Sequence, residues 1–208
     1  MPDQNQIINS YLKCYLIGAM EKTQEGDHGR GWRDRIRPEL EARLDPNSNP
    51  IYVFDPTLME TERTGYDVKE FHAKLDDFIS TGKKDKIREF MDLIWRGKTT
   101  LYQNVKGKAD IYHTLGDIDY VRHSNFIICL INEEDKPCGT YFEAGYAYER
   151  NVPIYLIKTM ALAKYNKSFL GWVLGSGGEI FENQKQLLEF LDKEYKLKIK
   201  EPKKEEGK

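Results

Sequence analysis

An open α/β sheet, mainly parallel and covered by helices on both faces, is the fold this sequence predicts. Short apolar runs rich in β-branched or aromatic residues alternate with longer segments of helical period, and polar loops follow the apolar runs. In such a sheet, ligands sit in the crevice beyond the carboxyl ends of the strands.

The strand candidates are residues 14–18, 51–54, 125–131 and 153–157, each too short for an ordinary helix and bounded by turn residues. Between the first two, residues 32–44 read as a helix with Ile36, Leu40 and Leu44 on one stripe at i, i+4, i+8. After Asp55-Pro56 the regular rhythm stops. Residues 59–114 are charged and irregular, with helices expected over 68–80 and 84–95, and read as a helical insertion over one rim of the sheet. The rhythm resumes with a helix over 117–123, the strand 125–131, a polar loop, a helix over 141–150 and the strand 153–157. A last helix, 183–195, precedes a Lys-rich stretch, 198–208, that has too little apolar surface to offset ordering and is expected to be disordered. Together these elements make one Rossmann- or flavodoxin-like domain of 208 residues.

Lysine and arginine number 32 against 34 acidic residues, a net charge of −2, which provides no field for a polynucleotide or an anionic membrane. No apolar run approaches the roughly 20 residues of a membrane span, and residues 1–11 are polar, so a cytoplasmic protein is expected. Cys14, Cys129 and Cys138 lack the spacings of a zinc site, and an odd number argues against a disulfide scaffold. His28, His72, His113 and His123 are too scattered to suggest a metal centre. No compact Gly-x-Gly-x-x-Gly turn follows the first strand, so neither a nicotinamide nor a flavin cofactor is expected.

The segment Cys138-Gly139-Thr140-Tyr141-Phe142-Glu143-Ala144-Gly145-Tyr146-Ala147 carries the most chemistry. Thr140-x-x-Glu143 has the pattern of a capping box, in which Glu143 only satisfies backbone N–H groups. The same position would also place a carboxylate in the first helical turn, where the helix dipole favours its ionised, nucleophilic form. Small residues Ala144, Gly145 and Ala147 would press this helix on the sheet and fix Glu143 at the crevice. A fixed anion there suits departure of a base from C1′, because it can stabilise the oxocarbenium charge and then bond to the sugar.

This sequence resembles the nucleoside 2-deoxyribosyltransferase family, with its relatives that hydrolyse nucleoside 5′-monophosphates. The resemblance is carried by Tyr15-Leu16-Ile17-Gly18-Ala19-Met20, by Asp117-Ile118-Asp119-Tyr120-Val121-Arg122-His123-Ser124-Asn125, and by the run from Gly139 to Ala147. It implies that Glu143 is the nucleophile, that Tyr15 orients it or assists proton movement, and that Asp117 contacts the base and protonates it as it leaves. Asp117 can also be read as a helix N-cap, and Asp119, two residues on, should point elsewhere. Asp135 matches an aspartate that binds sugar hydroxyls, with a solvated loop charge as the alternative.

Gly18 and Gly139 fall at the expected crevice. In Gly26-Asp27-His28-Gly29-Arg30-Gly31-Trp32-Arg33, a loop opening a helix, backbone N–H groups at Gly31 and the side chains of Arg30 or Arg33 could receive a 5′-phosphate. The resemblance also implies a homodimer or larger homo-oligomer in which an asparagine of a neighbouring subunit completes the sugar site; Asn166 and Ser168 lie in the corresponding region, where Ser168 could replace that asparagine. The expected activity is glycosyl transfer to a second base or hydrolysis, in nucleotide salvage. A nucleotide-sensing module without turnover is the alternative.

Overall fold

The computed structural model describes residues 11–19, 30–103, 109–135 and 137–200. Strand β1 (Lys13–Gly18) is followed by helix α1 (Arg30–Glu41), strand β2 (Arg43–Leu44), strand β3 (Tyr52–Phe54) and helix α2 (Pro56–Thr64). Helices α3 (Val68–Ser80) and α4 (Lys84–Arg96) come next, then an antiparallel pair, β4 (Lys98–Gln103) and β5 (Ala109–Thr114). The chain continues through α5 (Asp117–His123), β6 (Phe126–Leu130), α6 (Cys138–Glu149), β7 (Ile154–Ile157), α7 (Lys167–Gly175), β8 (Glu179–Phe181), α8 (Gln184–Glu194) and β9 (Lys198–Ile199).

Five of these strands form a wholly parallel sheet in the order β3-β1-β6-β7-β8. Strand alternation sends successive residues to opposite faces. Tyr15, Ile17, Ile127, Cys129, Ile154 and Leu156 share one buried cluster with α5, α6 and α7, whereas Cys14, Leu16, Phe126 and Ile128 join α1 and α8 in the other. The fold is thus the expected α/β sheet with helices on both faces. Because β3 lies on one side of β1 and β6 on the other, the order reverses between β1 and β6, which is where such sheets open a ligand crevice. Gly18 lets the two strands close up there: a Cβ on it would stand 2.6 Å from the Leu130 carbonyl oxygen.

Several elements depart from the sequence expectation. The βα rhythm does not stop at Asp55-Pro56; Asp55 caps α2 through Thr57 N–H at 3.0 Å, Pro56 opens it without needing an N–H partner, and Gly65 closes it at φ 74°. The 59–114 segment is not purely helical, because it contains the β4–β5 pair. Its helices α3 and α4 carry a small core of their own, Phe71, Leu75 and Ile94.

The first helix ends at Glu41 and Leu44 belongs to β2, which pairs with β9. The expected disordered tail therefore begins too early: Lys198 and Ile199 pair with Leu44 and Arg43, and Lys200 N–H donates to the Ala42 carbonyl at 2.8 Å. Helix α7 and strand β8 were not anticipated by periodicity. Among the described residues no helix is long and apolar enough to cross a membrane.

Candidate active site

Three elements deliver one side chain each to the α5–α6 face of the sheet. Strand β1 presents Tyr15, helix α5 presents Asp117 at its first position, and helix α6 presents Glu143. Tyr15 is fully buried, Asp117 is 2% exposed and Glu143 6%. The Tyr15 hydroxyl donates to Glu143 Oε1 at 2.7 Å, the short length expected of an O–H donating to a carboxylate. Tyr120 stacks beside Tyr15 at 6.3 Å and 23°, and Phe54 packs on Tyr120 at 4.6 Å, so the ring that flanks the Tyr15 phenol is itself held in place.

No protein-family model matches this chain, and no curated protein is significantly similar to it. The chemistry of the site rests on its own geometry.

Glu143 is not a capping residue. Helix α6 starts at Cys138 with Pro137 at the cap position, so Glu143 is the sixth residue of the helix and beyond the first turn. Its placement is tied instead to Tyr15, and the expected contribution of the helix dipole, which fades after one turn, is correspondingly small. Asp117 is not the N-cap of its helix either. The reciprocal contact at that end is made by Asp119, whose Oδ2 accepts from Gly116 N–H at 3.3 Å. Neither carboxylate of the buried cluster is occupied with holding a helix end.

The partner of Asp117 is a residue that the motif reading passes over. Arg63, on α2, brings Nη1 to 2.8 Å from Asp117 Oδ1, with side-chain exposures of 1% and 3%. The contact is that of an ion pair, but Oδ1 lies off the N–H directions and accepts no well-aligned hydrogen bond. Burial drives the Asp117 pKa upward, and Arg63 and the Tyr15 hydroxyl oppose the rise without cancelling it. Burial likewise pushes the Tyr15 phenol well above its ordinary range, helped by the charges of Asp117 and Glu143 and opposed by Arg63. Tyr15 therefore keeps its proton and acts as a donor that orients Glu143, while Asp117 is a carboxyl suited to releasing a proton.

A helix signal could have revealed Arg63. Asp55-Pro56 and Gly65 are start and stop marks nine residues apart, and within them Met59 and Arg63 stand at i, i+4 on one face.

The other candidates fall less uniformly. Asp135 closes the turn after β6 by accepting from Asn132 N–H at 2.8 Å through Oδ2, while its Oδ1 is buried without a hydrogen bond. Gly18 lies at the end of β1, and Gly139 is exposed on α6, where a Cβ would stand 3.7 Å from the Trp95 ring. Arg30 and Gly31 open α1, Arg30 being exposed. Gly26 to Gly29 lie outside the described residues.

Arg33 is not a phosphate clamp in this arrangement. It is fully buried, its Nη2 donates to the Gly18 carbonyl at 3.0 Å, and its Nε is 3.9 Å from Asp55. It occupies the i, i+3, i+7 stripe with Ile36 and Leu40 and ties the end of β1 to the start of α2. Ser168 is exposed on α7, where its N–H donates to the capping Asn166 side chain at 2.9 Å.

A cavity of about 700 Å³ lies on the outer side of α5, between Trp95, Ile118, Arg122 and Phe142. Its walls do not include Tyr15, Asp117 or Glu143. Trp95 packs edge-on against Phe142 at 5.0 Å, beside Glu143 in sequence. Among the described residues no group of three His, Cys, Asp or Glu side chains is placed to hold a metal ion.

Proposed function

We propose that this chain, acting in the cytoplasm, cleaves or exchanges the N-glycosidic bond of a nucleoside, a 2′-deoxynucleoside or a nucleoside 5′-monophosphate. The observation that carries the reading is the 2.7 Å contact between Tyr15 and Glu143 in a buried cluster that also contains Asp117. A protonated phenol aims one carboxylate, and a second carboxyl with a raised pKa stands by to donate a proton. Those are the parts needed to replace a base at C1′.

In the first step a Glu143 oxygen bonds to C1′ as the C1′–N bond breaks; the electron pair goes to the base, which takes a proton from Asp117. In the second, water or a second base attacks C1′ and frees the Glu143 carboxylate, the incoming group losing a proton to the base left at Asp117. Water gives hydrolysis and a base gives transfer. Asp135, with its unsatisfied buried oxygen, is the proposed partner of a sugar hydroxyl. The resemblance to the nucleoside 2-deoxyribosyltransferases supports the same assignment and a homo-oligomer. The exposed Tyr148 of α6 and Leu174 of α7 are apolar side chains available for that association.

The test is chromatography of free base released from matched nucleoside and 5′-monophosphate substrates, with and without an acceptor base. Glu143→Gln, which preserves shape, should reduce release to background while the protein remains folded. Undiminished release would remove the assignment. The long 59–114 insertion and Ser168 in place of the family's asparagine favour a second reading, a nucleotide sensor, for which binding without base release is the signature.

A further inference from the structure

Arg63 reaches the Tyr15, Asp117 and Glu143 cluster with only part of its guanidinium engaged. Nη1 contacts Asp117 and donates weakly to the Leu115 carbonyl at 3.4 Å. Nε and Nη2 are buried and hydrogen-bond to nothing among the described residues, while Asp117 Oδ1 meets Nη1 only as an ion pair. Charged donors are among the costliest groups to bury unpaired, and folded proteins retain few of them. Here two such donors stand together beside the proposed nucleophile and proton donor, which is what a ligand-reading group looks like before its ligand arrives.

We propose that Arg63 reads the edge of the leaving base, and that the base it fits is a 6-oxopurine such as hypoxanthine or guanine. The proposal rests on the N-glycosidic reading above and narrows its substrate class. Nε–H and Nη2–H project in parallel from one planar group, a fork that meets two neighbouring acceptors. O6 and N7 of a 6-oxopurine form such a pair, whereas adenine places an amino donor where O6 would be.

The other side of the guanidinium is tied to Asp117, so the fork and the proposed proton donor address the same ring. As the C1′–N9 bond breaks and Glu143 bonds to C1′, the released electron pair spreads through the base onto O6 and N7. The two donors of a permanent cation face that charge. The proton is taken up at a ring nitrogen outside this edge. Cytosine, with O2 and N3 side by side, is the rival base, and a water bridging Nε and Nη2 is the rival occupant.

The experiment measures equilibrium binding of hypoxanthine, adenine and cytosine to the full chain, and base release from the corresponding 2′-deoxynucleoside 5′-monophosphates. Wild type should bind hypoxanthine about tenfold or more tightly than adenine or cytosine, in line with the discrimination of one bidentate arginine contact. Arg63→Lys keeps the cation and loses the fork. It should abolish that preference, and kcat/KM should fall by about ten- to a hundredfold more for the 6-oxopurine substrate than for the adenine substrate.

A wild type that favours cytosine or shows no preference overturns the proposal, and needs no variant to fold. So does an equal loss on all bases in Arg63→Lys, which marks a positioning residue acting through Asp117. Hypoxanthine selectivity without any base release would sink the N-glycosidic reading and leave Arg63 as a base reader. Release from adenine substrates alone would do the reverse.

Discussion

Replacing Tyr15 by Phe removes one oxygen from the interior and leaves the ring, its stacking on Tyr120 and its burial in place. What is lost is the 2.7 Å bond to Glu143, a carboxylate 6% exposed. A hydrogen bond to a charged group contributes about 1.5–3 kcal/mol, so Tyr15→Phe should lower stability by about that amount. For a chain of this size each kcal/mol moves Tm by about 2–4 °C, giving a fall of about 3–12 °C. If the same bond aims the nucleophile, kcat/KM should fall by about ten- to a hundredfold, at about 1.4 kcal/mol per factor of ten.

The Glu143→Gln background provides the control. A neutral acceptor makes the bond worth only about 0.5–1.5 kcal/mol, so the same Tyr15→Phe change should cost less there. Urea unfolding followed by circular dichroism at pH 7 measures all four proteins. An equal cost in both backgrounds, or no cost in either, would refute the claim that the phenol and the carboxylate are energetically joined. Because Tyr15 titrates well above its usual range, the difference should persist across pH 6–9.

Asp117→Asn should slow base release and lower stability at pH 7 by about 3–5 kcal/mol, because it leaves the buried Arg63 guanidinium without its counter-charge. Urea unfolding measures the loss, and an unchanged midpoint would show that the pair contributes nothing net.

Gly18→Ala should cost about 1–3 kcal/mol by overpacking, because the new Cβ would meet the Leu130 carbonyl oxygen at 2.6 Å; urea unfolding reads it, and an unchanged midpoint would show that β1 and β6 can separate freely. The buried thiols Cys14 and Cys129 are both pushed well above their ordinary range by burial. An unfolded chain releases those protons near pH 8.5 and the folded one does not, so stability should fall with rising pH by about 1.4 kcal/mol per unit for each thiol. Replacing both by Ala should flatten the curve above about pH 9, and identical slopes would exclude the effect.

Where the sequence repeats a period over enough residues, the fold is legible in it. The four strands read from apolar runs are all in the sheet, and helices α3 and α5 have the bounds that their patterns suggest. Strand β8 has three residues, too few for any period to register, and α7 is interrupted by Gly171 in a segment without a strong apolar stripe. Arg33 illustrates a different failure. Its neighbours Gly29 and Gly31 suggest an anion loop, but its spacing from Ile36 and Leu40 puts it on the buried side of α1.

The convergence of Tyr15, Asp117 and Glu143 could be anticipated only through a resemblance, since they are scattered over 129 positions of chain. Arg63 belongs to no motif at all. Its significance comes from burial and from unspent donors, which only three-dimensional packing reveals.

The small core shared by α3 and α4 has a consequence for how this molecule comes apart. Phe71, Leu75 and Ile94 close on one another rather than on the sheet, so the free energy that keeps these helices shut is separate from that of the main body. Backbone amides of the helical pair can then exchange with solvent in a partial opening that leaves those of β1 and β6 protected. As Trp95 of the same pair leans on Phe142, such an opening would bare the segment next to Glu143 while the scaffold beneath it stayed closed.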